Sequence, residues 1–497
     1  MLLLVLLLIP AATAAASYFA RQREEMERIN LAGFGLGFLI AIALAAQVLA
    51  RGTVSLANGF FYADALSALV ILLSALVALV CATYSIGYLR DDEQSGALGD
   101  DTSGKEQLAQ LRMYYTLTPL FVFSMMFIAV ANNLGVMWAA IEATTLVSVF
   151  LVTFYGKVTS LEAAWKYAII GGVGLSMALF GTLVAYYAGH RLAGSDALAW
   201  LNWSVLAEHA ESLDKTSMRL AFVLILMGYG TKAGLAPMHT WKPDAYSEAP
   251  VPSAAILSSA MLNCALYGLI RFYILTSRSL GAEYPSHLLL LFGLLSMGIS
   301  VPFILAQKNL RRLLAYSSIE HSGVMVTALG LGGALGTLGL MLHMTFHTIA
   351  KSLAFLCAGN VQQHFKTDLF SEIKGSVIRI MPLTGVVFLM AMLAIVGMPP
   401  LALFQSEFLI VRAAFDAGHL LTGVLFVLFG TGVFAGALLH VGGMILGPKG
   451  DMPVAPRRPW RDGSLLALAA GLVVIGFWVP APLLNLIRGA AQVVMGQ

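Results

Sequence analysis

Apolar runs of about 20 residues recur along the whole chain, each set off from the next by a polar connector, and that is the length one helical crossing of a bilayer needs. The runs fall at 1–20, 30–50, 62–88, 113–131, 133–155, 163–187, 218–240, 252–276, 286–306, 311–331, 335–360, 381–413, 418–446 and 463–487. This pattern predicts an all-α polytopic membrane protein of about fourteen transmembrane helices, with both termini on one side. The first run resembles a signal peptide, with an Ala-Ala-Thr-Ala stretch after Leu2 to Ile9, but it lacks a basic leading region and is read as a retained first helix. The longest connectors are 89–112, rich in Asp91, Asp92, Glu93, Asp100 and Asp101, and 188–217, which holds Trp200 and Trp203; both read as solvated or interfacial loops.

Two runs carry helix breakers deep inside, Gly234-Leu-Ala-Pro237 in the seventh and Gly397-Met-Pro-Pro400 in the twelfth. A break at membrane depth frees backbone groups that need new partners, so it marks a cavity or an ion path. The breaks lie five helices apart, which predicts two inverted five-helix repeats, each with a broken helix. The organisation expected is therefore helices 1–3 over 1–112, a first repeat over 113–276, a second over 286–446 and helix 14 over 463–497.

Composition narrows the class further. Of 497 residues 59% are hydrophobic and 11% charged, which leaves no room for a sizeable soluble domain. The net charge of +3 is scattered through connectors, so there is no basic patch for nucleic acid. Connectors after odd-numbered helices hold about 18 Lys and Arg and the opposite side about 8, a bias that places both termini outside. Cys81, Cys264 and Cys357 stand singly in different spans without metal-ligand spacing, so they read as core fillers. No dinucleotide or P-loop glycine fingerprint occurs. The glycines from Gly330 to Gly336 read as helix ends that pack closely. The sequence predicts no cofactor in this chain, and any redox group belongs to a partner.

A charge at the bilayer centre costs at least about 2.5 to 3.5 kcal/mol, so each one kept there is a functional candidate. Glu142 stands alone in the fifth span, and Lys232 precedes the break of the seventh. In the eleventh, His343, His347 and Lys351 are spaced i, i+4, i+8 and share one face over about 12 Å. Two histidines at i, i+4 are also metal-ligand spacing. Neither the carboxylate nor the cysteine that a site requires accompanies them, so a proton relay is the expectation. Glu320 and His321 in the tenth span are adjacent and point about 100° apart, so at most one is expected to face the relay closely. Glu407 follows the second break and takes the place that Lys232 holds in the first repeat. Lys166 is the candidate repeat equivalent of Lys351, against the alternative of a lysine that snorkels from a helix end.

From Phe61 to about Ile410 the chain resembles the antiporter-like proton-channel family shared by complex I, multisubunit cation/proton antiporters and energy-converting hydrogenases. The segments that carry the resemblance are Lys232 to Pro252, Asn309 to Gly323, Met341 to Gly359 and Gly397 to Leu409. Ala315-Tyr-Ser-Ser-Ile-Glu-His-Ser-Gly, Ser247-Glu-Ala-Pro and Phe404-Gln-Ser-Glu-Phe-Leu resemble the hydrogenase 4 and formate hydrogenlyase membrane subunit most. The resemblance implies a coupling pair at Glu142 and Lys232, a central relay at Lys351 with His343 and His347, and a terminal charge at Glu407. It also shows departures. Ser258 or Ser259 stands where several complex I members have a histidine in helix 8, and with the sequence stopping soon after helix 14 the expectation is a shorter, middle-type member without the long lateral helix of the distal complex I subunit.

The function expected is proton translocation within a redox-driven complex of a bacterial or archaeal inner membrane. Other membrane subunits, and through them a soluble redox arm, would be the partners. The alternatives are a subunit of a multisubunit sodium/proton antiporter and the membrane base of an inorganic-carbon system. A mute structural anchor is argued against by the number of intramembrane charges.

Overall fold

In hydrocarbon every backbone N–H and C=O needs a partner within its own segment, which is why the apolar runs become helices. A computed structural model of the chain describes residues 1–98, 104–190, 200–373, 377–447 and 454–496. Asp100 and Asp101 of the first long connector lie outside the described residues. The helices are α1 (Leu2–Phe19), α2 (Arg23–Arg51), α3 (Ala65–Gln94), α4 (Lys105–Val130), α5 (Leu134–Val152), α6 (Val158–His190), α7 (Trp203–Glu208), α8 (Lys215–Ala233), α9 (Trp241–Glu248), α10 (Val251–Ile256) and α11 (Leu262–Leu280). They continue with α12 (Glu283–Leu305), α13 (Leu310–Leu331), α14 (Gly333–Phe365), α15 (Val377–Ile380), α16 (Pro382–Ile395), α17 (Ala402–Asp416), α18 (Leu420–Ala437), α19 (Gly443–Leu446), α20 (Pro459–Phe477) and α21 (Ala481–Met495). A wide π-helical turn over Leu257–Met261 joins α10 to α11.

Eleven helical spans among the described residues are long and apolar enough to cross a membrane. The runs expected at 218–240, 311–331 and 381–413 are occupied by helices that are interrupted or charged: α8 and the break that separates it from α9, α13, and α16 with α17. α3, α10 with α11, α13 and α14 are buried almost all round and form the centre. Around them α1, α2, α5, α6, α12 and α18 turn rows such as Leu36, Leu39, Phe150, Ile169, Leu291 and Val424 outward, the apolar surface that lipid covers. Where helices meet most closely, side chains vanish: a Cβ on Gly323 of α13 would lie 2.6 Å from the Gly293 carbonyl of α12.

Between α2 and α3, Val54–Leu56 and Phe61–Ala63 form a small antiparallel hairpin with Val54 opposite Ala63 in an otherwise helical fold. Three expectations change. The connector at 89–112 is shorter than expected. Asp91, Asp92 and Glu93 continue α3, where Arg458 and Arg461 pair with Asp91, Arg23 pairs with Glu93, and the Tyr155 hydroxyl donates to Asp92 at 2.6 Å. Satisfied charges let the helix run on past its apolar part. The connector at 188–217 contains α7, and Trp200 and Trp203 are buried. The Trp203 indole lies 4.2 Å from the guanidinium of Arg271, which is itself paired with Asp64 at 2.7 and 2.8 Å.

The run at 463–487 is two helices, α20 and α21, with Trp478 extended before Pro480. Proline lacks an N–H and disfavours helical backbone in the residue before it, so the helix stops there. The two pieces form one interrupted span along α3: Arg461 packs on Gly87 and Gly489 approaches Ala65. α21 ends beside the end of α2, where Asn485, Gln492 and Val493 share a cavity of about 640 Å³ with Val48, Leu49, Gly52 and Asp64.

Both expected breaks are present. α8 ends at Gly234 and α16 is followed by Gly397, each with left-handed φ, +73° and +67°, and each three residues before a proline in a cis peptide, Pro237 and Pro400.

Candidate functional site

The break after α8 is bound by groups from three helices, α9, α12 and α13. Trp241 Nε1 donates to the Thr231 carbonyl at 2.9 Å, Lys242 Nζ to the Ala233 carbonyl at 2.6 Å, and Ser322 Oγ of α13 to the same carbonyl at 3.0 Å. The Ala236 N–H is taken by Ser296 Oγ of α12 at 2.9 Å. Just before the break, Lys232 is 1% exposed and donates to Thr145 Oγ1 of α5 at 2.8 Å and to the Tyr167 hydroxyl of α6 at 2.6 Å. Glu142 lies on α5 less than one turn before Thr145, and its Oε2 is buried without a hydrogen-bond partner. No ion pair joins Glu142 to Lys232, so the two residues named as a pair face one region without touching. Lys166 is elsewhere. Its side chain is 46% exposed and pairs with Glu162 at 2.7 Å and Asp244 at 3.0 Å, outside the buried row.

The second half is denser. Lys351 is fully buried and donates to Ser317 Oγ of α13 at 2.9 Å and to the Leu314 carbonyl at 3.3 Å. Glu320 is the carboxylate that acts on it electrostatically. Glu320 and His321 both take part in this cluster, contrary to the expectation that at most one would: His321 Nδ1 is 3.4 Å from Glu320 Oε2 and 3.0 Å from His343 Nε2. Their Cα–Cβ bonds diverge, but α13 is buried on every side here, so both directions lead into protein. His343 Nδ1 in turn meets Ser406 Oγ of α17 at 3.0 Å. The His347 ring lies 5.0 Å from that of His321, with neither nitrogen hydrogen-bonded. Glu407 lies against the second break, and its ligand oxygen falls within 4.8 Å of ring nitrogens of His321 and His343. Folding thus supplies the carboxylate that the eleventh run lacks. The nearest nitrogens of His321 and His343 are already bonded to each other, an arrangement that shares a proton.

A family model described as NADH:quinone oxidoreductase/Mrp antiporter, TM, matches residues 131–434. The chain belongs to that family. The matched segment runs from the start of α5 into α18 and contains both breaks and every residue of the buried row. The chain is 37% identical over 421 residues to a hydrogenase-4 component F homolog of Methylacidiphilum infernorum, covering 84% of this chain and 86% of that protein. It is 30% identical to NADH-quinone oxidoreductase subunit 14 of Thermus thermophilus, covering 92% and 93%. The fold matches a chain of an archaeal membrane-bound sulfane sulfur reductase with a TM-score of 0.85, 24% identity and coverage of 99% and 97%. The resemblance to hydrogenase-4 subunits read from Ser247-Glu-Ala-Pro and its companion segments thus has a relative behind it.

Within this family member, sequence reading missed Lys242. It sits in Trp241-Lys-Pro-Asp-Ala-Tyr, where a lysine five residues beyond a proline looks like connector, yet it is 0% exposed. Asp64 and Arg271 were missed as well, each standing at the edge of its span. That pair shows what a structural charge looks like here: bidentate, covered by Trp203 and Tyr267, and matched atom for atom. The three buried lysines are different. Among the described residues no carboxylate lies within 4.0 Å of Lys232, Lys242 or Lys351, and hydroxyls and carbonyls hold all three.

The glycine of the second break is tied directly to this chemistry. A Cβ on Gly397 would fall 2.1 Å from Glu407 Oε2, at a φ of +67° that side chains rarely adopt. Gly397→Ala should therefore expel the carboxylate and strain the turn, a cost of about 1 to 3 kcal/mol from backbone alone. The expected result is a subunit that accumulates at reduced level and does not transport. Gly430→Ala on α18, where no atom lies within 4 Å of the new methyl, should be silent in the same assay.

Proposed function

We propose that this chain is the proton-translocating, antiporter-like membrane subunit of a redox-driven complex of the energy-converting hydrogenase or complex I type. The observation that carries the reading is the row of buried ionisable side chains through both broken helices, in which the lysines are solvated by hydroxyls and carbonyls instead of being locked in ion pairs. A locked pair holds its proton; a lysine with neutral partners can take one up and pass it on.

Proton movement follows from the chain's own contacts. Lys232 receives a proton from the Glu142 side and holds it between Thr145 and Tyr167. In the second half, Lys351 exchanges with Glu320, and the path runs on through His321 and His343 to the Ser406 hydroxyl in contacts of 3.4, 3.0 and 3.0 Å, with the Glu407 carboxylate within 4.8 Å of the two histidines as its end. Each arrival changes the charge felt by the next site through a low-dielectric interior, so the sites titrate as a coupled set. Electron transfer belongs to partner subunits. The likeness to a hydrogenase-4 component F homolog favours this over the sodium/proton antiporter alternative.

Purification in mild detergent followed by identification of the accompanying subunits tests the assignment. Nickel-site or iron-sulfur subunits are expected; a set of small antiporter subunits would overturn the redox reading. We place the chain in a bacterial or archaeal inner membrane with both termini outside, on the basic-residue bias and the shared position of α2 and α21 ends. A phosphatase reporter after Gln497 that requires export should then be active, and a reporter active only in the cytoplasm would reverse the orientation.

A further inference from the structure

We infer that Lys242 carries the proton from the first half to the second, as the counterpart of Glu407 at the first break. This rests on the relay reading above and names the member that the row otherwise lacks.

The two breaks have the same construction, a left-handed glycine three residues before a proline. In each, an ionisable side chain from the following half-helix fills the space where the glycine's side chain would be. A Cβ on Gly397 would meet Glu407 Oε2 at 2.1 Å, and a Cβ on Gly234 would meet Lys242 Cδ at 2.3 Å and Cε at 2.6 Å. The residue equivalent to Glu407 is therefore Lys242. Lys232, before the break, aligns instead with Ile395 of α16, which stands at the same distance from its glycine.

Position supports the same role. Lys242 Nζ touches the Ala233 carbonyl at the end of α8 and Ser322 Oγ of α13 at 3.1 Å. Ser322 Oγ reaches the Ser318 carbonyl at 2.7 Å, and Ser318 Oγ reaches the Leu314 carbonyl, which Lys351 Nζ also approaches. One side of α13 thus joins the two lysines, and Lys351 is the charge that acts on Lys242. The alternatives for this link are poor: Lys166 is exposed, and Ser258 donates to its own helix at Ala255. Lys242 also balances the row. With it, three lysines, Lys232, Lys242 and Lys351, stand among three glutamates, Glu142, Glu320 and Glu407, so the buried set can be neutral overall.

A bland role competes, since Lys242 could merely cap the freed carbonyl of Ala233. The variant that separates the two is Lys242→Gln, whose amide can donate to both oxygens but cannot gain or lose a proton at working pH. In the native complex in sealed vesicles, Lys242→Gln should assemble with its partners and pump at less than a tenth of the wild-type rate. Wild-type pumping by Lys242→Gln would assign the residue to capping and overturn the inference. Should that variant not assemble, Lys242→Arg keeps charge and donors while never releasing its proton, and normal pumping by an assembled Lys242→Arg complex would overturn the inference equally. Lys351→Met in parallel keeps the failures apart. If it too pumps normally, the relay reading is wrong; if it alone is inactive, only the bridging role of Lys242 is.

Discussion

Replacing Lys351 with Met should stop proton pumping while leaving the protein folded and bound to its partners. Lys351 is the charge on which the second half turns: it lies between the Ser317 and Leu314 oxygens, acts on Glu320, and stands two turns from His343 on the same face of α14. Methionine keeps the length and volume of the side chain, so it avoids the cavity that alanine would leave, worth about 2 to 5 kcal/mol in a packed core. It removes the amine and with it the buried cation that acts on Glu320. Loss of a proton-transfer group of this kind costs about 10²-fold or more in rate. Pumping in sealed vesicles should fall to background with subunit content unchanged, and Lys351→Ala should do the same with weaker assembly. Single changes of His343 or His347 to Gln should cost less, because a water can bridge one missing helical turn. A Lys351→Met complex that pumps at the wild-type rate would remove the centre of the relay.

What the sequence showed and what it hid divide along a physical line. Features that repeat along one element were readable: the apolar runs, the i, i+4, i+8 row of His343, His347 and Lys351, and the two glycine-to-proline breaks, because each is fixed by local backbone geometry. Features that depend on which helix packs on which were not. Glu320 and His321 diverge on α13, yet a buried helix has no idle face. His321 and Glu407 converge on His343 from two other helices, which no spacing encodes. Lys242 looked like connector because a half-helix of eight residues is too short for a periodic signal. Lys166 has the sequence setting of an intramembrane lysine but reaches the surface carboxylates of Glu162 and Asp244. The α20 to α21 interruption was hidden because apolar residues flank Pro480 on both sides, and hydropathy does not register a backbone break.

Glu142→Gln should likewise abolish pumping, and the reason lies in where Lys232 rests. Its amine is held by Thr145 and Tyr167 with no ion pair to the carboxylate, and Glu142 Oε2 has no hydrogen-bond partner. A structural salt bridge would be closed; this one is open, which suits a pair that closes only when a proton arrives. Glu142 is the carboxylate that acts on Lys232, and a buried charge left uncompensated by its removal costs several kcal/mol. Glu142→Asp keeps the charge with shorter reach and should retain partial activity. Tyr167→Phe, which removes one of the two groups holding Lys232 in the open position, should lower the rate without abolishing it, since Thr145 still accepts. The double variant Glu142→Gln with Lys232→Met decides between coupling and scaffolding. If the pair were scaffolding, removing both charges together would relieve the penalty that each single change creates, and transport would recover. If the pair is the first transfer step, the double variant assembles better than either single one and still does not pump, because a neutral, well-packed site has no proton to give.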